Sequence, residues 1–154
     1  MINVAEVEKI LRSFSICRLR GPADEKLLEL SESVLGRSIP VDYRNVLLKL
    51  TNGAELTEVS LLPVEDRSNR RNLAATWDSV ARNNNHKTCT WFDRDPLTFE
   101  EFFIFAVAKT TCFSLRYKDP HYVWIWSPGD RNVVELDYSL SSWLEETAAH
   151  QDEI

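Results

Sequence analysis

The sequence is poor in the residues that build phosphate loops, metal sites and disulfide frameworks. Its four glycines lie singly, at predicted element ends and turns, so no Gly-rich phosphate-binding loop is present. The three histidines are far apart and no two cysteines have metal-ligand spacing, so we predict no metal site and no cofactor. The three cysteines are odd in number and widely spaced, which favours reduced thiols in a cytosolic protein over disulfides.

Long apolar runs are also missing. No stretch approaches the roughly 18–20 apolar residues that a membrane helix needs. The N-terminal residues mix Glu6, Glu8 and Lys9 into their apolar pattern and do not resemble a signal peptide. These features predict a cytoplasmic protein that has no membrane partner.

Basic residues are in the minority, because 18 Lys and Arg stand against 24 Asp and Glu, for a net charge of −6. Nucleic-acid binding needs a basic surface that displaces counterions from phosphates, so it is disfavoured. An acidic surface suits a basic protein partner, since complementary fields raise association rates. A charge run is equally well explained by a solvated face. One acidic run without an intervening base comprises Glu55, Glu58, Glu65 and Asp66.

At 154 residues the chain fits one domain, residues 1–154, which buries roughly 68–70% of its unfolded surface. Amphipathic helical patterns occupy the first third and the C-terminal end, and strand patterns joined by tight turns lie between them. We therefore predict an α+β fold, an antiparallel sheet of about five to six strands with N-terminal helices and a C-terminal helix packed on it.

Several local predictions accompany this fold. Leu27, Leu30 and Val34 recur at helical spacing and predict the buried stripe of the second helix. The segment Val59–Val64 is predicted to be the first strand, and Pro63 makes it an edge strand or ends it. A helix is predicted over Ser68–Ala81, and the following Asn-rich segment is predicted to be a loop.

Aromatic residues gather in two places. Trp91 and Phe92 interrupt a polar stretch, where they either anchor the loop on the core or form part of a binding surface. Tyr122, Trp124 and Trp126 alternate along one strand, so their shared face either packs under a helix or binds a protein.

The best enzymatic constellation is Cys112, His121 and Asp137, as nucleophile, base and orienting acid. Cys112 and His121 fall on neighbouring strands of one predicted hairpin, which allows them to be close. A buried small thiol is the commoner role of a free cysteine, however, and three such residues often occur by chance. We therefore predict that the protein is not an enzyme.

The most specific stretch is residues 35–53, which read LGRSIPVDYRNVLLKLTNG. Gly36 closes one helix, Pro40 opens another, and Asn52–Gly53 ends it. One apolar stripe of that helix is formed by Tyr43, Val46, Leu47 and Leu50.

This stretch resembles the signature of the SUKH superfamily, the small domains of bacterial toxin-immunity proteins and of a fungal cell-wall-assembly regulator. The later apolar strand and the closing helix follow in that family's order. In the turn where members often carry Gly and Asp, this chain has Lys109–Thr111, so no ligand role is carried over to that turn. The residues that match the signature are Leu35, Gly36, Ile39, Pro40, Asp42, Tyr43, Asn52 and Gly53.

The resemblance implies a non-catalytic immunity protein that binds and occludes one cognate toxin domain, often a nuclease in this family. A general interaction or regulatory module of the same fold is the alternative, and a hydrolase using Cys112 is a third reading. Exposed aromatics would serve a homodimer as well as a heterodimer, so the oligomeric state stays open. Loops concentrate binding residues, and the predicted partner-binding set is Glu55, Glu58, Glu65, Asp66, Trp91, Asp93 and Asp95.

Overall fold

The computed structural model describes residues 2–64 and 79–151. Within these ranges the chain forms six α-helices and seven β-strands, and the predicted α+β class is confirmed. In chain order the elements are α1 (Val4–Arg12), β1 (Cys17–Leu19), α2 (Glu25–Leu35), α3 (Val41–Lys49), β2 (Ala54–Leu56), β3 (Val59–Leu61), α4 (Val80–Asn83), α5 (Pro96–Glu101), β4 (Phe102–Ala108), β5 (Thr111–Arg116), β6 (Asp119–Trp126), β7 (Val134–Glu135) and α6 (Leu140–Ala149).

The sheet is an antiparallel meander in which the spatial order of the strands is their chain order. It has more strands than predicted because β1 and β2 are three residues each, too short to show an alternating pattern. Their pairing of Cys17 with Leu56 joins segments that are distant in sequence. Long-range pairing of this kind leaves no local signal.

Val59–Val64 is not the first strand, because β1 and β2 precede it, and of the two alternatives that Pro63 left open, an edge strand or a strand end, the edge is wrong. Strand β3 lies between β2 and β4 and pairs with both. The strand ends at Leu61, two residues before Pro63, so the missing N–H of the proline does not interrupt the ladder.

The predicted stripe of α2 is wrong for two of its three residues, because Leu27 packs against the core but Leu30 and Val34 do not. Leu28 and Ser31 face the core, whereas Leu30 is 42% and Val34 is 56% exposed. The helix carries apolar residues on more than one side, so its periodicity alone does not select the inward face. Asp24 begins the helix by accepting a hydrogen bond from the Leu27 backbone N–H at 2.8 Å.

Two further predictions lie around α4. The predicted helix Ser68–Ala81 falls almost wholly outside the described residues. The predicted loop that follows is partly helical and buried, because α4 ends at Asn83 and the side chains of Asn83 and Asn84 are both enclosed.

Helices cover the sheet on two sides. On the side that we call the front face, Tyr43 of α3 packs on Phe105 at 5.5 Å, and Trp143 of α6 packs on Phe105 at 5.3 Å and Phe113 at 4.6 Å. On the back face, Phe92 contacts Phe102 and lies over the same sheet. Strand β4 is therefore buried on both faces, as its continuous apolar run predicted. In the described ranges no helix is long and apolar enough to span a bilayer.

Candidate functional site

A cleft of about 510 Å³ opens on the back face, and we call it the aromatic cleft. Its floor is made by Phe102, Trp124 and Trp126, which reach it from β4 and β6. Phe102 and Trp126 are buried and Trp124 is half-buried, so Trp124 provides most of the aromatic surface that the cleft exposes. One wall is formed by α5 and the turn before it, and the other is formed by residues 131–133, which lead into β7.

The wall beside α5 begins with a strained backbone turn, Trp91–Arg94. Phe92 (φ 55°, ψ 28°), Asp93 (φ 51°, ψ 32°) and Arg94 (φ 62°) are all in the left-handed region. For residues with a side chain this conformation costs roughly 1–2 kcal/mol each, so the surrounding structure must impose it. Strain of this kind is concentrated at functional sites, which makes the turn a candidate.

Tertiary contacts of the two residues that precede Asp93 hold the turn. The Phe92 ring is 4% exposed and packs edge-on against Phe99 at 5.0 Å and Trp126 at 6.0 Å. The Trp91 indole donates its Nε1–H to Oδ1 of Asn83 at 2.8 Å and meets Trp126 edge-on at 6.3 Å. The two buried contacts therefore fix the turn that presents Asp93 to solvent.

The structure separates the roles of the predicted residues Trp91, Asp93 and Asp95. Trp91 is half-buried and anchors the loop on the core, and it does not line the cleft. Asp95 lines the cleft, but its carboxylate also caps α5 by accepting from the Leu97 N–H at 3.3 Å and the Thr98 hydroxyl at 2.6 Å. Asp93 lines the cleft, is exposed, and forms no ion pair within the described part of the chain.

Arginines that the sequence-based set did not include also line the cleft. Arg116 pairs with Glu101 at 2.8 Å, and its guanidinium lies 5.7 Å from the centre of the Trp124 ring. Both charged side chains are partly exposed, and such pairs add little to stability, so they can exchange for a partner's groups at small cost. The alternation of side chains along β5 and β6, together with their pairing of Ser114 with Trp124, puts Arg116 and Trp124 on one face. The second cation, Arg131, is exposed at the opposite wall.

The predicted acids Glu55 and Glu58 lie elsewhere. Glu55 is exposed on β2 and pairs with Arg18 at 3.2 Å, and Glu58 occupies the β2–β3 turn with φ 65°. Glu55 does share the back face with the cleft, because cross-strand partners lie on one side of a sheet. Four inter-strand steps of about 4.8 Å place it roughly 19 Å from Trp126. That row runs Glu55, Ser60, Val107, Cys112 and Trp126.

The predicted partner-binding set is therefore not one site. Glu55 and Glu58 lie at the β1–β3 end of the sheet, whereas Asp93 and Asp95 line the aromatic cleft near β6 and β7. The remaining two acids, Glu65 and Asp66, lie outside the described residues.

The structure does not assemble the enzymatic constellation. Cys112 lies opposite Trp126 on β6. His121 is five residues from Trp126 along that strand, so at about 3.4 Å per residue it lies roughly 17 Å from the position opposite Cys112. The Cys112 side chain is fully buried, and that burial raises the pKa of its thiol, whereas a nucleophilic thiol needs a lowered pKa and access to solvent. No group of three or more metal-ligating side chains occurs among the residues that the structure describes.

The residues of the signature stretch make contacts between α3 and the end of β3. The buried Tyr43 hydroxyl donates to the Leu62 carbonyl. The Asn52 side chain accepts from the Val64 N–H at 2.8 Å and donates to the Val64 carbonyl at 3.4 Å, as a paired strand residue would. Gly53 adopts φ 81° beside them.

The other signature residues surround the ends of α2 and α3. Gly36 ends α2 with φ 75° and donates its N–H to the Glu32 carbonyl at 2.9 Å. Ile39 is 2% exposed, Pro40 is the residue just before α3, and Asp42 accepts from the Ile2 N–H at 3.2 Å. Leu35, the last residue of α2, is half-buried.

An antiparallel meander with helices on both faces defines an α+β fold. The sequence matches the SMI1 / KNR4 family (SUKH-1) over residues 22–146, and the chain belongs to that family. The match runs from before α2 into α6, so it confirms the resemblance carried by residues 35–53. This family includes toxin-immunity proteins and is generally non-catalytic. No curated protein matches the sequence.

Proposed function

We propose that the chain is an immunity protein that binds one cognate bacterial toxin domain and blocks it by occlusion, without turnover. Membership of a family that includes such proteins supports the class of function. The observation that carries the choice of surface is the aromatic cleft, beside which a strained turn presents Asp93 to solvent. Aromatic side chains at the centre of a contact, surrounded by a rim of charged residues, are typical of the hot spots of protein interfaces.

The charge of the chain supports a basic partner such as a nuclease domain. A nuclease cleft that attracts phosphates presents a positive field, and a protein of net charge −6 is steered into such a field. In the complex, carboxylates such as that of Asp93 would occupy the places of substrate phosphates. Occlusion requires only this stoichiometric contact and no chemical step.

Co-expression with the toxin domain encoded by the neighbouring gene tests the proposal. We expect cell survival and a co-purified one-to-one complex. We also expect affinity to fall as salt is raised, mainly through a slower association rate, because screening weakens the steering field. A folded chain that neither rescues cells nor binds an active toxin would contradict immunity and favour a regulatory role.

A further inference from the structure

Helix α5 forms a narrow ridge between two surface depressions. On one side, Asp95, Thr98 and Glu101 line the aromatic cleft. On the other side, Pro96, Phe99 and Glu100 line a second groove of about 420 Å³, which α2 and the segment after α4 complete. We call this depression the α2–α5 groove.

The crest of the ridge carries Leu97. Its side chain is 72% exposed, the highest value for a large apolar residue in the described ranges, and it lines neither depression. A single exposed leucine is unremarkable by itself. Its place between two concave surfaces is what distinguishes it, because a partner that fills both depressions must cover Leu97 as well.

The ridge is rigid enough to serve as a preformed contact. Phe99 is 2% exposed and anchors the helix on Phe92 at 5.0 Å. Its C-terminal end is held by two further hydrogen bonds, from the Arg37 guanidinium to the Glu100 carbonyl at 2.9 Å and from the Tyr117 N–H to the Glu101 carbonyl at 2.9 Å. A surface that is already ordered loses little conformational entropy when it binds.

The two depressions carry opposite net charge. In the aromatic cleft the Glu101–Arg116 pair is neutral overall, which leaves Asp93 and Asp95 against Arg131. In the α2–α5 groove the balance reverses, because two cations face a single carboxylate. Those three charged residues are Arg37, Lys87 and Glu100.

We infer that the toxin contact of the proposed immunity function is centred on α5. The toxin domain straddles the ridge and receives Leu97 in an apolar socket. A basic side chain of the toxin enters the aromatic cleft, facing Asp93 and the Trp124 ring, and an acidic side chain faces Lys87 in the α2–α5 groove. The guanidinium of Arg116 lies 5.7 Å from the Trp124 ring centre, so the basic group of the toxin takes its place there, an exchange that costs little because the Arg116–Glu101 pair is partly exposed.

The opposite charge on the two sides gives the contact a direction. A toxin docked the other way round would place its basic group against Lys87 and its acid against Asp93, and like charges brought together suppress that pairing. The partner is thus defined by its chemistry: an apolar socket with a basic group on one side and an acidic group on the other. This inference rests on the proposed function.

The first test measures the affinity of Leu97→Asp and Leu97→Ala for the toxin domain by calorimetry. We expect Leu97→Asp to weaken binding by at least about 30-fold, the level of an interface hot spot, and Leu97→Ala to weaken it less. The matched control is Val41→Asp, since Val41 is also an exposed aliphatic residue, at 57%, and lies at the start of α3 outside both depressions. Circular dichroism confirms that each variant is folded.

The second test addresses direction through charge. Asp93→Asn keeps a residue that tolerates the left-handed conformation, so it removes the charge and leaves the turn intact. We expect Asp93→Asn and Lys87→Glu each to weaken binding, and Asp93→Asn also to reduce its salt dependence.

The outcomes separate the inference from the proposed function. If the wild-type chain binds the toxin while Leu97→Asp and Asp93→Asn bind equally well, the ridge is not the contact and immunity stands. If Val41→Asp loses as much affinity as Leu97→Asp, the effect is not specific to α5 and the inference is also wrong. If the wild-type chain does not bind the toxin, both the proposed function and the inference fail.

Discussion

Gly53 shows how the signature residues act at the scale of single side chains. A Cβ at this position would lie 2.9 Å from the Leu61 carbonyl oxygen and 2.9 Å from both the N and the Cβ of Pro63. The backbone also has φ 81°, which residues with a side chain rarely adopt. Close approach and conformation together exclude any other residue, which explains why the helix-ending Asn-Gly pair is so specific a signal.

We expect Gly53→Ala to destabilise the fold by more than the roughly 1–2 kcal/mol that a left-handed alanine costs, because the Cβ meets backbone that cannot move freely. Urea denaturation measures the change. Gly36→Ala is the matched control, since Gly36 has φ 75° but nothing within 4 Å of its Cβ position. Equal losses in the two variants would show that the close approach has no energetic consequence.

At the scale of elements, Asn84 joins α4 to the central strand of the sheet. Strand β4 has a register shift between Ile104 and Ala106, where it departs from regular pairing with β5. The buried Asn84 amide accepts from the Ile104 N–H at 2.7 Å and donates to the Ile104 and Val80 carbonyls at 2.9 Å each. One side chain therefore supplies hydrogen bonds at the irregular point of the strand.

We expect Asn84→Ala to cost on the order of 2–3 kcal/mol, because the buried N–H and C=O of Ile104 lose their hydrogen-bond partner. Its neighbour provides the comparison: Asn85→Ala changes an exposed residue and should stay within about 0.5 kcal/mol of wild type. Chemical denaturation of both variants gives the difference directly. If Asn84→Ala unfolds at the same denaturant concentration as the wild-type chain, the Asn84 side chain does not stabilise β4.

For the whole molecule, the core holds several groups in their neutral, protonated form. Burial raises the pKa values of the Tyr43 hydroxyl and the Cys112 thiol, and it raises the pKa of Tyr117 to about 12. A group whose pKa rises on folding stabilises the fold fully below its unfolded pKa. That contribution is lost as the pH rises towards the folded value, because the unfolded chain then ionises first.

Stability should therefore fall as the pH rises above the unfolded pKa values of about 8.5 for Cys and about 10 for Tyr. Urea midpoints measured at increasing pH test this, and Tyr43→Phe separates the cause. The variant loses the hydrogen bond to the Leu62 carbonyl and starts less stable at neutral pH, but its decline at alkaline pH should be shallower. An unchanged slope in Tyr43→Phe would exclude Tyr43 as a source of the alkaline loss.

Patterns among residues that are close in sequence were enough to predict much of the fold and the family resemblance. The buried strand β4, the helix-ending glycines and the residues 35–53 signature all depend on signals a few residues long, because caps, turns and apolar runs are set by neighbours in sequence. Composition likewise gave the acidic character. Asp93 and Asp95, which line the cleft, were predicted as partner-binding residues because they lie in a polar loop between apolar segments.

Tertiary structure decided the rest. Helix α2 has apolar residues on two sides, so packing, and not periodicity, placed Leu28 inward and Leu30 outward. Strand β1 exists only through its long-range pairing with β2. The left-handed turn that presents Asp93 opposes local preference, and the burial of Phe92 together with the Trp91–Asn83 hydrogen bond holds it. The sequence by itself determined the overall pattern of apolar and polar residues. Packing between segments that are distant in sequence decided which of those residues lie together on one surface.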